Sequence, residues 1–169
     1  MIRGDFFMKP YMNLLRYLSL MTAIIVILTV LLPVITYDET SFLGYEVIFG
    51  IEIANINPFN LGTIARAWLP FSLPALMTFT LPVLASVLVL IDSKHVTISL
   101  ILSLIGLVMM LILPNHIHIM YAFGSTENRA SINWMIDYGL VIATTSTIIG
   151  LLIHFFIFAG QNSLNLKKS

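Results

Sequence analysis

The sequence contains no cysteine in 169 residues. Disulfide staples, thiolate metal sites and thiol redox chemistry carried by this chain are therefore excluded. Charge is scarce as well. Asp, Glu, Lys and Arg make up 9% of the residues, where an ordinary soluble domain carries about 25%. Eight basic and eight acidic residues give a formal net charge of zero. Nothing in this balance suggests the cationic footprint of a nucleic-acid binder, and nucleic acid is not an expected partner. Also missing are a G-x-x-x-x-G-K-[ST] phosphate loop, an H-E-x-x-H pair and a G-x-S-x-G elbow. Nucleotide hydrolysis, zinc proteolysis and that class of serine hydrolase lack their required parts.

What the chain has instead is hydrophobic residues, 59% of the total, arranged in long runs. Residues 68–91 carry no formal charge, and about 20 mostly apolar residues suffice to cross the hydrocarbon core as a helix. Pro70, Pro74 and Pro82 fall within this run, which predicts a kinked helix lying against other protein. Asp92-Ser93-Lys94-His95 then forms a turn too short to cross a membrane, and a further apolar run follows. Four spans are expected, at about 17–35, 68–91, 96–114 and 135–159. The first follows a basic lead-in with Arg3, Lys9 and Arg16, in which Pro10 interrupts any helix begun before it. It is read as a transmembrane helix, because its apolar core exceeds that of a secretory signal and no small-x-small cleavage site follows.

Residues 36–67 form the long hydrophilic connection. Leu43, Tyr45, Val47, Phe49, Ile51 and Ile53 alternate with Gly44, Glu46, Ile48, Gly50, Glu52 and Ala54, a period of two that predicts a half-buried strand. Asn55-Ile56-Asn57-Pro58-Phe59-Asn60 supplies turn residues after it. The expected fold is thus an all-α integral membrane protein: one domain over residues 1–169, a four-helix bundle with a partly β-stranded first extracytoplasmic loop. This layout resembles the claudin-like architecture, whose tryptophan and cysteine signature is missing here, so no function is carried across.

Cations set the expected orientation. Arg3, Lys9, Arg16, Lys94, Lys167 and Lys168 fall on the side of the termini, and only Arg66 and Arg129 on the other. That split predicts a plasma or inner membrane protein with both termini cytoplasmic. Trp68 and Trp134 would mark the outer ends of the second and fourth helices at headgroup depth.

Candidate functional residues are few. Ser99, Ser103 and Gly106 share one face of the third span, and Gly139, Ala143, Thr147 and Gly150 share one face of the fourth. Small residues at such spacing let helices approach closely. His154 is the next step on the second stripe and would be an intramembrane polar site. His95 lies near the same membrane face, but without a second pair or an attachment motif no haem or other cofactor is expected. His116 and His118 could chelate a metal only if the chain after Pro114 is extended, since residues two apart diverge on a helix. With no third ligand at definite spacing, no metal site is expected. Asp137 should occupy the first turn of the fourth helix, where the dipole favours a carboxylate. In the loop, Tyr45, Glu46, Phe49 and Glu52 are the candidate docking residues.

These features predict a non-enzymatic subunit or accessory protein of a larger membrane assembly, such as a transporter complex, with other membrane subunits and the lipid bilayer as partners. The alternative is a small homo-oligomeric carrier or channel whose path is lined by the second span and His154.

Overall fold

The computed structural model describes residues 3–56 and 64–166, and the side chains of 11–56 and 64–161. Of the turn expected at 55–60, Asn55 and Ile56 prove to be extended and paired with the strand Ala65–Leu69, while 57–60, like the cations Lys167 and Lys168, lie outside the described residues. In chain order the elements are α1 (Arg3–Thr29), β1 (Pro33–Tyr37), β2 (Thr40–Leu43), α2 (Gly44–Phe49), β3 (Ile51–Ile56), β4 (Ala65–Leu69), α3 (Leu73–Ile91), α4 (Val96–His116), β5 (His118–Phe123), β6 (Thr126–Ser131), β7 (Met135–Ile136) and α5 (Tyr138–Leu166). A short 3₁₀ turn, Ser93–His95, links α3 to α4.

Among the described residues four helices are long and apolar enough to cross a membrane: Tyr11–Thr29, Leu73–Ile91, Ser93–His116 and Tyr138–Gln161. They pack as a closed ring in the order α1, α3, α4, α5, with large apolar side chains such as Met21, Ile101, Leu111 and Phe156 facing outward. The start of α3 and the turn that leads into α4 have local causes. Ser72 caps α3 by accepting from the Ala75 N–H at 3.2 Å, and Pro74 sits in the first turn, where its missing N–H costs nothing. The Asp92 carboxylate accepts from the Lys94 N–H at 3.0 Å and shapes the tight turn between α3 and α4.

The chain is nevertheless not an all-α bundle. Among the described residues seven strands form two antiparallel sheets at the end of the bundle opposite the termini, one ordered β2-β1-β7 and the other β3-β4-β5-β6. The expectation of all-α helices with one stranded loop fails because both long connections fold, and each completes the other. β1 pairs with β7, and β4 pairs with β5. Two-residue turns close the hairpins. Asp38 (φ 54°) lies between β1 and β2, and Gly124 (φ 58°) between β5 and β6, both in the left-handed region that Asp and Gly tolerate best.

Several boundaries move with this correction. The strand expected from Leu43 to Ala54 is broken: Gly44–Phe49 is helical, and only Ile51–Ile56 is extended. Trp68 lies in β4, four residues before α3 begins in the sequence order Leu69, Pro70, Phe71, Ser72. Of the three prolines, only Pro82 falls inside α3 beyond its first turn. Pro114 lies within α4, which continues to His116. α1 runs through Pro10 and ends at Thr29. Trp134 precedes β7 and is buried among the sheets, donating its indole N–H to the Ile117 carbonyl at 2.9 Å and meeting Tyr37 and Phe42 edge-on.

The interior is layered along the bundle. One apolar cluster, including Val26, Phe42, Leu69, Phe79, Met110, Trp134 and Leu140, joins the helices to both sheets. A smaller one near the termini contains Leu15, Val89, Val96, Ile153 and Ile157. Between these along the helices lie buried polar residues, Ser19 and Thr22, Ser86, Ser99 and Ser103, and Ser146 and Thr147, and the belt is joined by His154, which sits at the level of Ile153 and Ile157.

Candidate functional site

The belt centres on His154, which is fully buried. Its Nε2 lies 2.7 Å from Ser19 Oγ on α1, and its Nδ1 lies 3.1 Å from Ser103 Oγ on α4. A neutral imidazole has one donor and one acceptor nitrogen, so one hydroxyl accepts from the ring and the other donates to it. Both nitrogens are thereby used within the protein. Counting 1.5 Å per residue, His154 sits about 10 Å inside the end of the span at Gln161.

Around this belt the small residues seat neighbouring helices. A Cβ on Gly106 would stand 2.7 Å from the Pro82 ring, so the proline of α3 nests against bare backbone on α4. Gly139 meets the Pro33 carbonyl oxygen, and a Cβ on Gly150 would stand 3.0 Å from Thr22 Oγ1. Ala143 is buried, and the Thr147 hydroxyl donates to its carbonyl at 2.8 Å. Ser99 donates to the His95 carbonyl at 3.1 Å.

The second candidate region is the four-stranded sheet. Its strands run away from the bundle and, at six residues in β5, extend about 20 Å. Residues paired across strands point to the same face, so the register sorts every side chain. One face carries Ile51, Ala54, Ile56, Ala65, Ala67, Leu69, Ile119, Tyr121, Phe123 and Ala130, together with the polar Thr126 and Asn128 of β6, and no charge. Near the bundle it is covered, with Leu69 buried, but at the far end Ile56 and Phe123 are 58% and 64% exposed. The opposite face collects Glu52, Arg66, His118, Glu127 and Arg129. On it Arg66 pairs with Glu127 at 3.0 Å across the small Ala122, and its guanidinium lies 4.3 Å above the Trp68 ring.

The loop residues singled out from the sequence separate in space. Glu46 accepts from the Leu43 N–H at 2.8 Å and so closes the first turn of α2. Glu52 is exposed on the edge strand β3, where all six residues are exposed. Tyr45 and Phe49 lie on α2 and are exposed. Phe49 borders two hollows, one beside Glu52, Arg66 and Trp68 and one in the wholly apolar groove between α1 and α3.

His116 ends α4 and His118 opens β5. They line a common cavity of about 300 Å³ with Arg129, Ser72, Phe71 and Met120. Among the described residues no group of three or more His, Cys, Asp or Glu is positioned to hold a metal ion. His118 Nδ1 is enclosed without a hydrogen-bond partner. Burial, reinforced by the neighbouring Arg129 and His116 charges, holds the His118 pKa below the usual imidazole value. Asp137 precedes α5. Its carboxylate accepts from the hydroxyls of Thr36 and Ser41 and from the Tyr138 N–H, which hold its pKa below the usual carboxylate value.

Sequence reasoning missed Ser19, Arg129 and the apolar sheet face. Ser19 looks like any membrane hydroxyl until α1 meets α5. The sheet face needs the β4–β5 pairing, which joins residues more than fifty apart in sequence. No known family matches the chain, and no curated protein or solved structure matches it either.

Proposed function

We propose that the chain is a non-enzymatic integral membrane subunit of a larger membrane assembly, a transporter complex being the expected kind, and that the four-stranded sheet is its docking element. The observation that carries this reading is the uncharged sheet face ending in exposed Ile56 and Phe123. Exposed apolar surface of this kind marks interaction sites. The edges differ in the same sense. β6 carries Glu127 and Arg129, charges that discourage strand addition, whereas β3 offers Ile51, Ile53 and Ile56 with only Glu52. In this reading the six-to-two cation split puts the termini in the cytoplasm and the sheets outside.

The carrier reading asks His154 to line a path. Its enclosure by Ser19 and Ser103, with both nitrogens engaged, favours a packing role instead. A photo-crosslinker placed at Phe123 tests the docking reading. A defined adduct with another membrane protein is expected, and adducts with lipid alone would count against it.

A further inference from the structure

The cavity at the foot of the four-stranded sheet is cationic in a part of the chain that is otherwise acidic. Arg129, His116 and His118 converge on it, and none of its lining residues is a carboxylate. The nearest acids are committed or distant. Glu127 is bound to Arg66. Glu52 occupies the same cross-strand row as Arg129, in the order Glu52, Trp68, Met120, Arg129. Three strand spacings separate the ends of that row, about 14 Å. Among the described residues Arg129 has no ion pair, and His118 Nδ1 is enclosed without a hydrogen-bond partner.

Arg129 lines this concave site without a counter-ion among the described residues, and an anion seated there would supply one. The donors suit a tetrahedral oxyanion: a guanidinium that can engage two oxygens, two imidazole N–H groups, and a hydroxyl. Ser72 Oγ accepts its cap bond from Ala75, which leaves its proton free to donate. This contrasts with His154, whose ring is wholly consumed by the fold. The cavity also lies between His116, the last residue of α4, and Leu73, the first of α3. That is the level at which the helices leave the hydrocarbon core, where lipid phosphates are found.

We propose that this cavity binds a phosphate-ester anion, with Arg129 as the anchor and His116, His118 and Ser72 as supporting donors. The proposal is independent of the docking reading. The group can come from a phospholipid headgroup or from a soluble phosphate ester, and one experiment separates the sources. The full chain, purified in a mild neutral detergent, is exposed to phosphatidylglycerol or to glycerol phosphate, and binding is read by native mass spectrometry and thermal shift. Binding of at least one is expected, weakened about tenfold or more in Arg129→Gln, the loss of one charged hydrogen-bonding group. Lys94→Gln removes a cation at the opposite end of the bundle, far from the cavity, and should leave binding intact. Retention of phosphatidylglycerol in excess glycerol phosphate assigns the site to lipid; displacement assigns it to a soluble ester. Failure of the wild-type protein to bind either, or equal loss in both variants, overturns the proposal.

Discussion

Ser19 Oγ and His154 Nε2 stand 2.7 Å apart in the buried centre of the bundle, although 135 residues separate them in sequence. With Ser103 on the other ring nitrogen, one imidazole joins α1, α4 and α5. In the hydrocarbon region an unmet polar group is costly, so this contact fixes which faces of three helices meet.

His154→Ala should therefore destabilise the bundle by about 2–4 kcal/mol, from the cavity and two stranded hydroxyls together. Ser19→Ala and Ser103→Ala should each cost less, about 0.5–1.5 kcal/mol. Thermal unfolding in detergent gives the ranking, and a double-mutant cycle between Ser19 and His154 gives the coupling. An unchanged melting temperature in His154→Ala would contradict this account.

Glycine-to-alanine substitutions should follow what each new methyl group meets. Gly139→Ala meets the Pro33 carbonyl oxygen, which is backbone and cannot yield, and should cost about 1–3 kcal/mol or more. Gly106→Ala meets the Pro82 ring at 2.7 Å and should be comparable. Gly150→Ala meets a single side-chain oxygen, Thr22 Oγ1 at 3.0 Å, and should be the mildest. Expression and melting temperature of the three variants test the order.

Asp137 links stability to pH. The Thr36 hydrogen bond, then the Tyr138 N–H and Ser41, depress its carboxyl pKa against the opposing effect of burial. A depressed folded pKa stabilises the fold above the unfolded value of 3.8, and that contribution is lost as pH falls through the folded pKa. Asp137→Asn should thus melt below the wild type near neutral pH and converge with it in acid. Parallel curves at every pH would show that the carboxylate's charge is immaterial.

The loop acids should part company. Glu46→Gln weakens the bond that closes the first turn of α2 and should lower stability by about 1 kcal/mol. Glu52→Lys, on an exposed edge strand, should leave the melting temperature unchanged and act on association alone.

The apolar runs disclosed the four helices, because about 20 uncharged residues in succession have few other fates. The sheets were harder to see, for physical reasons. Over the six residues of Gly44–Phe49, periods of two and 3.6 are not separable, so a short helix read as a strand. Ala65–Leu69 runs straight into the apolar helix after it, and hydropathy alone does not divide them. Pro70 and Pro74 carried that information, since the residue before Pro70 avoids the helical region and Pro74 is favoured in a first helical turn. His118–Ser131 showed its Gly124-Ser125 turn, but the strands on either side become evident only once β4 supplies the partner. His154 was visible as an anomaly, whereas its serine partners lay among many similar hydroxyls.

The docking reading is tested most directly by native mass spectrometry of the tagged full chain, extracted from its own membrane in mild detergent. It is compared with an Ile56→Lys/Phe123→Lys variant that spoils only the exposed end of the sheet. The account predicts a different membrane subunit held in fixed stoichiometry by the wild type and lost from the variant, with melting temperatures equal. A wild-type protein found only as copies of itself, or a partner retained equally by the variant, would contradict it.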